Sequence, residues 1–411
     1  KKIIEGIETN SFKPFLLFGI TGSGKTEVYL QAIAHALSKG KATILLVPEI
    51  ALTTQTISRF RCRFGENIAI LHHRLSQGER RDQWEKIRLG KCSIVIGPRS
   101  AIFSPLPNLG LIIVDEEHEQ SYKQQDDMPC YHARDISMMR GLLNKCSVIL
   151  GSATPSIESF NNVKNSKYQL LTLKQRADNA SCPTVSIVDM RAEKEKSPHG
   201  YLFSSSLLNG IEKRIEQGEQ IILFLNRRGY NTSSLCQDCG KTVSCPHCDS
   251  SLSFHKHDSI LICHLCQFTI TPPPKTCPNC KSESQLKYQG TGTQKVENTL
   301  KAIFPGVRTI RMDADTTRHK GSHDQLIRSF KSGKADILIG TQMIAKGLHS
   351  PEVTLVGVLN SDSSLNIPDF RSTEYTFQLL VQVAGRSGRG ALSGEVLIQT
   401  YTPQHPIIEL A

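Results

Sequence analysis

The stretch PFLLFGITGSGKT, from Pro14 to Thr26, decides the fold of the first half of this 411-residue chain. Its first six residues form a continuous apolar run, which is typical of a strand buried on both faces of a parallel sheet. The last eight, GITGSGKT, match the pattern GxxxxGK(S/T) between a predicted strand and a predicted helix. This context predicts a phosphate-binding P-loop rather than a glycine-rich turn.

The glycines of such a loop let backbone N–H groups surround phosphate oxygens, and the start of the next helix favours anionic charge. Lys25 is predicted to pair with the β- and γ-phosphates of ATP, and Thr26 to hold Mg²⁺ through its hydroxyl. The predicted nucleotide-binding residues are Gly19, Thr21, Gly22, Ser23, Gly24, Lys25, Thr26 and Asp115.

Beyond this loop, short β-rich runs alternate with helical stretches, which predicts an α/β protein with mostly parallel sheets. In the first half, strands are predicted at PFLLFG, ATILLVP, SIVIGP, LGLIIVDE and CSVILGS, with helices at 25–38, 53–64 and 77–89. The alternation of strands and helices continues in the second half of the chain. Strands are predicted there at TVSIVD, QIILFLN, VRTIRMD, ADILIGT, VTLVGVL and GEVLIQT, with helices near 204–217, 294–303, 323–331 and 372–384. We predict two lobes, 1–180 and 181–411, joined within 165–182.

Two further stretches carry charge suited to ATP hydrolysis. The strand in LIIVDEEH ends in Asp115, which can bind Mg²⁺ through water, and Glu116, which can orient or deprotonate the attacking water. In QVAGRSGR, from Gln382 to Arg389, Arg386 and Arg389 can stabilise the charge of the transferred phosphoryl group. The alternatives are a solvated strand end and a basic surface patch. The predicted catalytic residues are Lys25, Thr26, Asp115, Glu116, Gln382, Arg386 and Arg389.

The second lobe is interrupted at 232–285 by four CxxC pairs, which contain eight of the thirteen cysteines. Clustered pairs in a chain without an export signal favour zinc in a reducing cytoplasm over disulfides. Four thiolates complete a tetrahedral zinc, so eight predict two closed structural sites rather than a catalytic one. The ligands are Cys236, Cys239, Cys245, Cys248, Cys263, Cys266, Cys277 and Cys280.

The spacing of the pairs favours a nested arrangement of the two sites. Fourteen residues separate the second pair from the third, which is close to a common zinc-ribbon spacing. The first pair then combines with the fourth, although a cross-braced pairing stays open. The insertion has few large apolar residues, so metal binding is predicted to supply its folding energy.

The net charge and the hydropathy of the chain limit the possible functions further. The formal net charge of +11 fits a polyanionic partner such as nucleic acid, although a basic protein without such a partner has the same balance. No apolar run approaches the ~18 residues that span a bilayer. No secretory signal opens the chain, which begins at Lys1, and we expect a fragment of a longer protein.

The P-loop, the DEEH segment and the QVAGRSGR segment, in this order, resemble the superfamily 2 helicases. The stretches VPEIALT, GSATPS, FLNRRGY, IGTQMIAKG and DFRSTEYTFQLL, with the four CxxC pairs, are similar to the bacterial primosomal replication-restart helicases across essentially the whole chain. This resemblance implies two RecA-like lobes and the nested zinc pairing. It also implies an ATP-dependent 3′-to-5′ DNA helicase whose lobes close as ATP is hydrolysed.

By the same resemblance, the enzyme unwinds the lagging-strand arm of stalled forks and supports primosome assembly. The implied partners are forked DNA, primosome proteins and single-stranded DNA-binding protein, for a monomer in the bacterial cytoplasm. Two other functions stay open. One is a double-stranded DNA translocase or RNA helicase with a zinc module, and the other is a nucleic-acid-binding scaffold whose ATP site is a regulatory switch. Because every catalytic position is filled, the scaffold is the less favoured.

Some residues depart from the family pattern or carry secondary expectations. Met128 and Cys130 stand where an aromatic residue or Arg is expected, and Leu348 where His is expected. Tyr122 and Tyr131 are available for base stacking, whereas Trp84 is expected in the core.

Further expectations concern polar residues. Asp313, Asp315 and the acid within 360–364 are expected to be solvated. Ser152 and Thr154 are expected to bridge the acidic residues of the DEEH segment and the lobe interface. The hydroxyls of 291–293 and the GTQ segment at 340–342 could bind DNA phosphates or act as ordinary caps.

Overall fold

A computed structural model describes most of the chain, as two compact units, Lys1–Asn179 and Ala180–Ala411. The described residues are 1–49, 54–72, 75–125, 128–176, 182–193, 202–225, 232–233, 235–236, 238–248, 250–255, 259–263, 265–282, 292–313, 316–317, 321–344, 350–367, 369–388 and 392–411. Several predicted positions lie outside them: Arg389, Leu348, Thr291, Asp315 and the segment 226–230.

The first unit is built on a seven-stranded, all-parallel sheet in the order β3-β4-β2-β5-β8-β1-β9. Its strands are β1 Lys13–Gly19, β2 Ala42–Leu46, β3 Ile68–Ile70, β4 Ile94–Gly97, β5 Leu109–Asp115, β8 Ser147–Ser152 and β9 Gln169–Leu173. A small antiparallel pair, β6 Lys123–Gln124 and β7 Tyr131–His132, lies outside this sheet. The helices are α1 Lys2–Glu8, α2 Lys25–Ser38, α3 Thr54–Phe64, α4 Gln77–Arg88, α5 Ala133–Leu143 and α6 Ile157–Lys164.

Helices cover both faces of this sheet, so its central strands are apolar on both sides. Alternate residues of β1 show the division, because Leu16 belongs to one buried cluster while Phe15 and Leu17 belong to the other. β9 escapes prediction from its sequence, since it is an edge strand whose residues are exposed or only half-buried.

The second unit repeats the architecture with a six-stranded parallel sheet in the order β10-β19-β18-β11-β17-β16. Its strands are β10 Thr184–Asp189, β11 Gln220–Leu225, β16 Thr309–Met312, β17 Ile337–Gly340, β18 Val353–Leu359 and β19 Glu395–Thr400. The helices are α7 Met190–Glu193, α8 Ser205–Glu216, α9 Thr293–Ile303, α10 Ser322–Lys331, α11 Asp362–Leu365, α12 Ser372–Ala384 and α13 Pro406–Leu410. Two parallel-sheet α/β lobes are therefore confirmed.

The cysteine-rich insertion follows β11 and forms its own small antiparallel sheet. Its strands are β12 Thr232–Ser233, β13 Ser253–His255, β14 Ile260–Ile262 and β15 Thr269–Ile270. The buried cluster of this insertion consists of four cysteines and only three aliphatic side chains, Val243, Leu252 and Leu261. So little apolar area cannot offset the chain entropy of ordering the segment, which is why its stability is expected to depend on metal.

Four expectations about individual side chains are wrong. Trp84 is 40% exposed rather than part of the core, and Tyr122 is fully buried rather than available to stack on bases. Asp313 and Asp362 are buried rather than solvated, because each accepts hydrogen bonds from neighbouring threonines: Thr293 for Asp313, and Thr400 and Thr402 for Asp362. Within the described part of the chain, no helix is long and apolar enough to cross a membrane.

Candidate nucleotide site and zinc centres

The P-loop connects β1 to α2 at the carboxyl edge of the first sheet. Gly22 and Gly24 have φ angles of 83° and 86°, which only glycine adopts without strain. The Lys25 ammonium donates a hydrogen bond of 2.7 Å to the Gly19 carbonyl, so this cation lies across the loop. The buried Ser23 hydroxyl has no hydrogen-bond partner within the described segments. Because buried polar atoms are normally paired, this loop fits a phosphate group that would accept that bond.

Asp115 is the last residue of β5, and two tyrosines hold it. The Tyr29 hydroxyl, on α2, donates to the Asp115 carboxylate at 2.9 Å. The Tyr122 hydroxyl donates to the Asp115 backbone carbonyl at 2.6 Å. Both rings are buried, so the end of the strand is fixed from two sides.

The electrostatics of this acid depend on its burial. Burial raises the pKa of the Asp115 carboxyl to about 7, and the neighbouring Glu116 carboxylate adds to the rise, while Lys25 and Tyr29 oppose it. A carboxyl poised in this way gains from any nearby cation, so Asp115 fits Mg²⁺ as a ligand. Glu116 follows with a φ of 49°, a left-handed conformation that is strained for a side chain.

Gly151 on β8 makes room for the tyrosine that holds Asp115. A Cβ atom at this position would lie 1.7 Å from the Tyr29 hydroxyl oxygen. Any side chain here would therefore displace Tyr29 from the Asp115 carboxylate. This glycine opens the GSATPS segment, and its close approach to Tyr29 is a physical reason for glycine at that point.

Ser152 and Thr154 are predicted to bridge the acidic residues and the lobe interface, and within the first unit Ser152 bonds to the histidine of DEEH. Its hydroxyl lies 2.7 Å from His118 Nδ1, and the Thr154 N–H donates to it at 2.9 Å. The same His118 nitrogen is 3.7 Å from a Glu116 carboxylate oxygen. Ser152 therefore reaches Glu116 only through His118.

The third residue of DEEH, Glu117, anchors a buried network that sequence analysis did not identify. Its carboxylate accepts hydrogen bonds from the Ser156 N–H at 2.7 Å, the Ser159 hydroxyl at 2.9 Å and the Arg134 guanidinium at 3.2 Å. Glu117 is fully buried and Arg134 nearly so. The pair connects β5 to α5 and α6, and a buried charge without such partners would be strongly destabilising. The adjacent acids at 115–117 gave a sequence signal for Glu117, but Tyr29 and Arg134 gave none.

The remaining predicted catalytic residues lie in the second unit. Gln382 is buried near the end of α12, and Arg386 is half-buried just beyond that helix. Their predicted part in hydrolysis stays a prediction, as does that of Arg389. Thr293 is buried and donates to Asp313 at 2.6 Å, so its hydroxyl is engaged within the unit.

The cysteine insertion contains two clusters of four thiols. Cys236, Cys239, Cys277 and Cys280 form one cluster, and Cys245, Cys248, Cys263 and Cys266 the other, with all sulfur atoms of a cluster within 4.8 Å of one another. This nested grouping confirms the arrangement favoured by spacing, and the cross-braced alternative is wrong.

The sulfur separations match the size of a zinc site. Tetrahedral zinc with bonds of about 2.3 Å places its sulfurs ~3.8 Å apart. The Sγ atoms of Cys239 and Cys277 are 3.8 Å apart, and those of Cys236 and Cys280 are 3.7 Å apart. In the second cluster, Cys245 and Cys266 are 3.5 Å apart. Both clusters therefore fit zinc.

A repeated backbone turn presents the thiols. The N–H of the first cysteine in every pair donates to the carbonyl five residues later, at Lys241, Ser250, Phe268 and Ser282. In the three pairs for which the structure describes the residue after the second cysteine, that residue has a positive φ and donates to the first cysteine's carbonyl; these residues are Gly240, Gln267 and Lys281. The shared turn explains why CxxC spacing suits this chemistry, because it directs both thiols of a pair towards one point.

Comparisons with known proteins agree with this organisation. Residues 1–163 match the DEAD/DEAH box helicase family, and 261–391 match the helicase conserved C-terminal domain. Residues 245–270 match the PriA DNA helicase Cys-rich region domain. Proteins named replication restart protein PriA are 54% identical in Chlamydia pneumoniae and 52% in Bacillus subtilis, over 100% and 99% of this chain. The chain belongs to the PriA family. It spans about half the length of these curated relatives, at 55% and 50%.

More distant solved structures share the fold of the PriA family chain. The helicase MrfA bound to DNA has a TM-score of 0.55 at 12% identity, over 98% of this chain and 50% of MrfA. RecG bound to a three-way DNA junction has a TM-score of 0.54 at 17% identity, over 97% of this chain and 41% of RecG.

The raised pKa of Asp115 gives a testable effect on stability. Because its carboxyl binds a proton more tightly in the folded state than in the unfolded state, ionisation above pH 7 opposes folding. We expect Asp115→Asn, without added Mg²⁺, to raise the free energy of unfolding at pH 8 by ~2 kcal/mol, since each pKa unit is worth ~1.4 kcal/mol and the side chain is partly exposed. The gain should shrink as pH falls from about 7 towards 4.

Urea unfolding of the zinc-loaded chain across this pH range measures the effect. Asp82→Asn, which changes an exposed carboxylate on α4, is the control for loss of one negative charge. A loss of stability in Asp115→Asn at pH 8, or a gain that does not depend on pH, would contradict the role of burial.

Gly240 is expected to resist substitution, although two equivalent positions carry side chains. A Cβ atom at Gly240 would lie 2.5 Å from the Tyr401 carbonyl oxygen, in addition to the strain of a φ of 72°. We expect Gly240→Ala to lower the free energy of unfolding by ~2 kcal/mol and to weaken zinc retention by the first cluster.

Zinc per chain under chelator competition, together with urea unfolding, measures both effects. Lys281→Ala is the matched control, because Lys281 has the same turn position and a φ of 58° but is exposed. We expect Lys281→Ala to change the free energy of unfolding by less than ~0.5 kcal/mol. Equal losses in the two variants would show that the turn, and not the approach to Tyr401, limits this position.

Proposed function

We propose that this chain is the ATP-driven motor of a DNA helicase that acts in replication restart. The observation that carries the proposal is the convergence of Lys25, Asp115 and the buried Ser23 hydroxyl at one carboxyl edge of a parallel sheet, where ligands of such sheets bind. Membership of the PriA family supports DNA as the substrate, since PriA relatives are named for replication restart. The basic net charge of +11 agrees with a polyanionic partner.

In the proposed mechanism, the P-loop binds the phosphates of ATP and Lys25 balances their charge. Thr26 and Asp115 would hold Mg²⁺, which supplies charge neutralisation at the β- and γ-phosphates when bound. Glu116 accepts a proton as a water oxygen attacks the γ-phosphorus and the bond to the β–γ bridging oxygen breaks. Gln382, Arg386 and Arg389 act from the second lobe on the charge that develops there, so that hydrolysis drives lobe closure.

The finer parts of the proposal follow from the family resemblance. They are 3′-to-5′ movement, unwinding of the lagging-strand arm, primosome proteins and single-stranded DNA-binding protein as partners, a monomeric state and a cytoplasmic location. We further propose that the zinc module is a rigid projection where duplex strands part, or a docking surface for primosome proteins. Its insertion directly after β11 supports a fixed position on the second unit.

ATP hydrolysis by the zinc-loaded chain, with and without forked DNA, tests the motor. We expect forked DNA to stimulate phosphate release, and Lys25→Ala to lower the rate by at least ~100-fold because the charge of the transferred phosphoryl group loses its cation. Strand displacement on forks of DNA and of RNA with one sequence separates a DNA helicase from an RNA helicase.

Each alternative has its own result in these assays. A folded, zinc-loaded chain that releases no phosphate in either condition would contradict the motor and favour a scaffold with a regulatory nucleotide site. DNA-stimulated hydrolysis without displacement of either strand would favour a double-stranded translocase. Serine replacements in the CxxC pairs that remove zinc yet leave unwinding intact would contradict strand separation by the module.

A further inference from the structure

The Glu116 carboxylate, which is the proposed base, depends on its backbone for its orientation. Its buried Oε2 atom has no hydrogen-bond partner within the part of the chain that the structure describes. The Nδ1 atom of His118 lies 3.7 Å from this oxygen, which is too far for a hydrogen bond. The direction in which the side chain leaves the main chain is therefore set by the backbone at residue 116.

The backbone at Glu116 has a conformation that a side chain disfavours. Its φ is 49°, in the left-handed region, and such strain persists only where the surrounding structure determines it from several sides. The preceding residue, Asp115, is fixed because it pairs with Gly151 of β8 and accepts the Tyr122 hydroxyl at its carbonyl. The residue that follows must be fixed as well, since otherwise the turn would relax.

Glu117 is that following residue, and both its main chain and its side chain are anchored. Its N–H donates to the Gly151 carbonyl at 3.1 Å. Its carboxylate accepts the N–H of Ser156, the N-cap residue of α6, at 2.7 Å. Because two separate groups of Glu117 are anchored, the peptide that joins it to Glu116 cannot rotate without breaking at least one of these bonds.

The Glu117 carboxylate is fully buried, and its other partners come from two helices. The Ser159 hydroxyl on α6 donates to it at 2.9 Å, and the Arg134 guanidinium on α5 donates at 3.2 Å. A buried ion pair is often no more stabilising than apolar side chains of the same volume, so packing of these helices does not by itself require the pair. What the pair provides is a carboxylate of fixed position, immediately next to the proposed base.

We propose that Glu117 is a positioning residue for Glu116. Its carboxylate, anchored by Ser156, Ser159 and Arg134, holds the strained turn at residue 116 and thereby directs the Glu116 side chain. The inference rests on the proposed function, in which Glu116 accepts the proton of the attacking water. Because the turn is held before ATP binds, the base needs no rearrangement at the moment of reaction.

Hydrolysis and nucleotide binding should respond differently to loss of this carboxylate. We expect Glu117→Gln to lower the single-turnover rate of ATP hydrolysis by about 10- to 100-fold, because displacement of a catalytic group by ~1 Å has effects of that order. The Kd of a fluorescent ADP analogue and the number of sites per chain should not change, because the P-loop is left intact. A rate that falls only in proportion to the number of sites would indicate loss of fold and overturn the proposal.

A double-mutant cycle tests whether Glu117 acts through Glu116. Glu116→Gln removes the proton acceptor, so Glu117→Gln should have no further effect on the hydrolysis rate in that background. A residue that merely supports the fold would lower the rate by the same factor in both backgrounds. Equal factors would therefore overturn the proposal.

Ser159→Ala is the milder variant, because it leaves the buried ion pair intact. We expect it to lower the hydrolysis rate by about 2- to 5-fold, since the anchor loses one donor. Ser137→Ala is the matched control, because it removes another buried hydroxyl, on α5, which donates to the Ala133 carbonyl at 2.7 Å. If Glu117→Gln does not fold, equal rates in the two serine variants would overturn the proposal.

Hydrogen exchange tests the turn without any hydrolysis. The N–H groups of Glu117 and Glu119 donate to the carbonyls of Gly151 and Glu116, at 3.1 and 2.9 Å, so both amides should exchange slowly. We expect Glu117→Gln, without nucleotide, to speed exchange in the peptide 115–122 by at least ~10-fold and to leave peptides of α2 unchanged. Unchanged exchange in that peptide would overturn the proposal.

The unchanged chain and Glu116→Gln separate failure of this inference from failure of the proposed function. If the unchanged chain hydrolyses ATP, Glu116→Gln does not, and Glu117→Gln hydrolyses at the unchanged rate, Glu117 is not a positioning residue and the motor stands. If the unchanged chain hydrolyses no ATP with or without forked DNA, the motor is contradicted, and hydrogen exchange alone shows whether Glu117 holds the turn.

Discussion

The first unit depends on one constraint, which is that a carboxylate must be held at the end of a buried strand without a charge partner fixed to it. Asp115 meets this constraint through the hydroxyls of Tyr29 and Tyr122, one on its side chain and one on its backbone. Gly151 leaves the space in which Tyr29 reaches it. Hydrogen bonds from neutral donors fix the position of the acid while leaving its charge available to a cation. This arrangement suits the Mg²⁺-binding role that we propose for Asp115.

The parallel sheet brings Asp115 and the P-loop to the same edge. Because all seven strands run in the same direction, every loop that follows a strand reaches the same edge. The P-loop follows β1 and Asp115 ends β5, so both lie at this edge. Tyr122 is fully buried beneath this edge, and its hydroxyl bonds to the Asp115 carbonyl.

Sequence patterns report local burial and residue preference, and this limits what could be predicted for this chain. Continuous apolar runs and helical periodicity predicted α2, α12 and β18 to the residue, because central strands and amphipathic helices dominate hydrophobic burial. The edge strand β10 was also predicted to the residue, although its side chains are exposed or half-buried, because four of its six residues are β-branched. β9 was missed because it is an edge strand with little burial and, unlike β10, has only one β-branched residue in QLLTL. Trp84 and Tyr122 were assigned the wrong environments, since residue type alone does not tell whether an aromatic ring lies in the core or stays exposed. Tyr29, Arg134 and Gly151 act through tertiary contacts that leave no local signal.

The zinc insertion contacts the second unit through its backbone. Gly240, in the turn of the first cysteine pair, closely approaches the Tyr401 carbonyl. The segment that carries Tyr401 is held in turn by the buried Asp362 carboxylate, which accepts hydrogen bonds from Thr400, the Tyr401 N–H and Thr402. The cluster of Cys236, Cys239, Cys277 and Cys280 therefore sits against a rigid part of the parallel-sheet core. The second cluster lies further along the insertion, so a metal-stabilised element can project from the unit while its base stays fixed. A small segment with three buried aliphatic side chains could not hold such a position by hydrophobic packing alone.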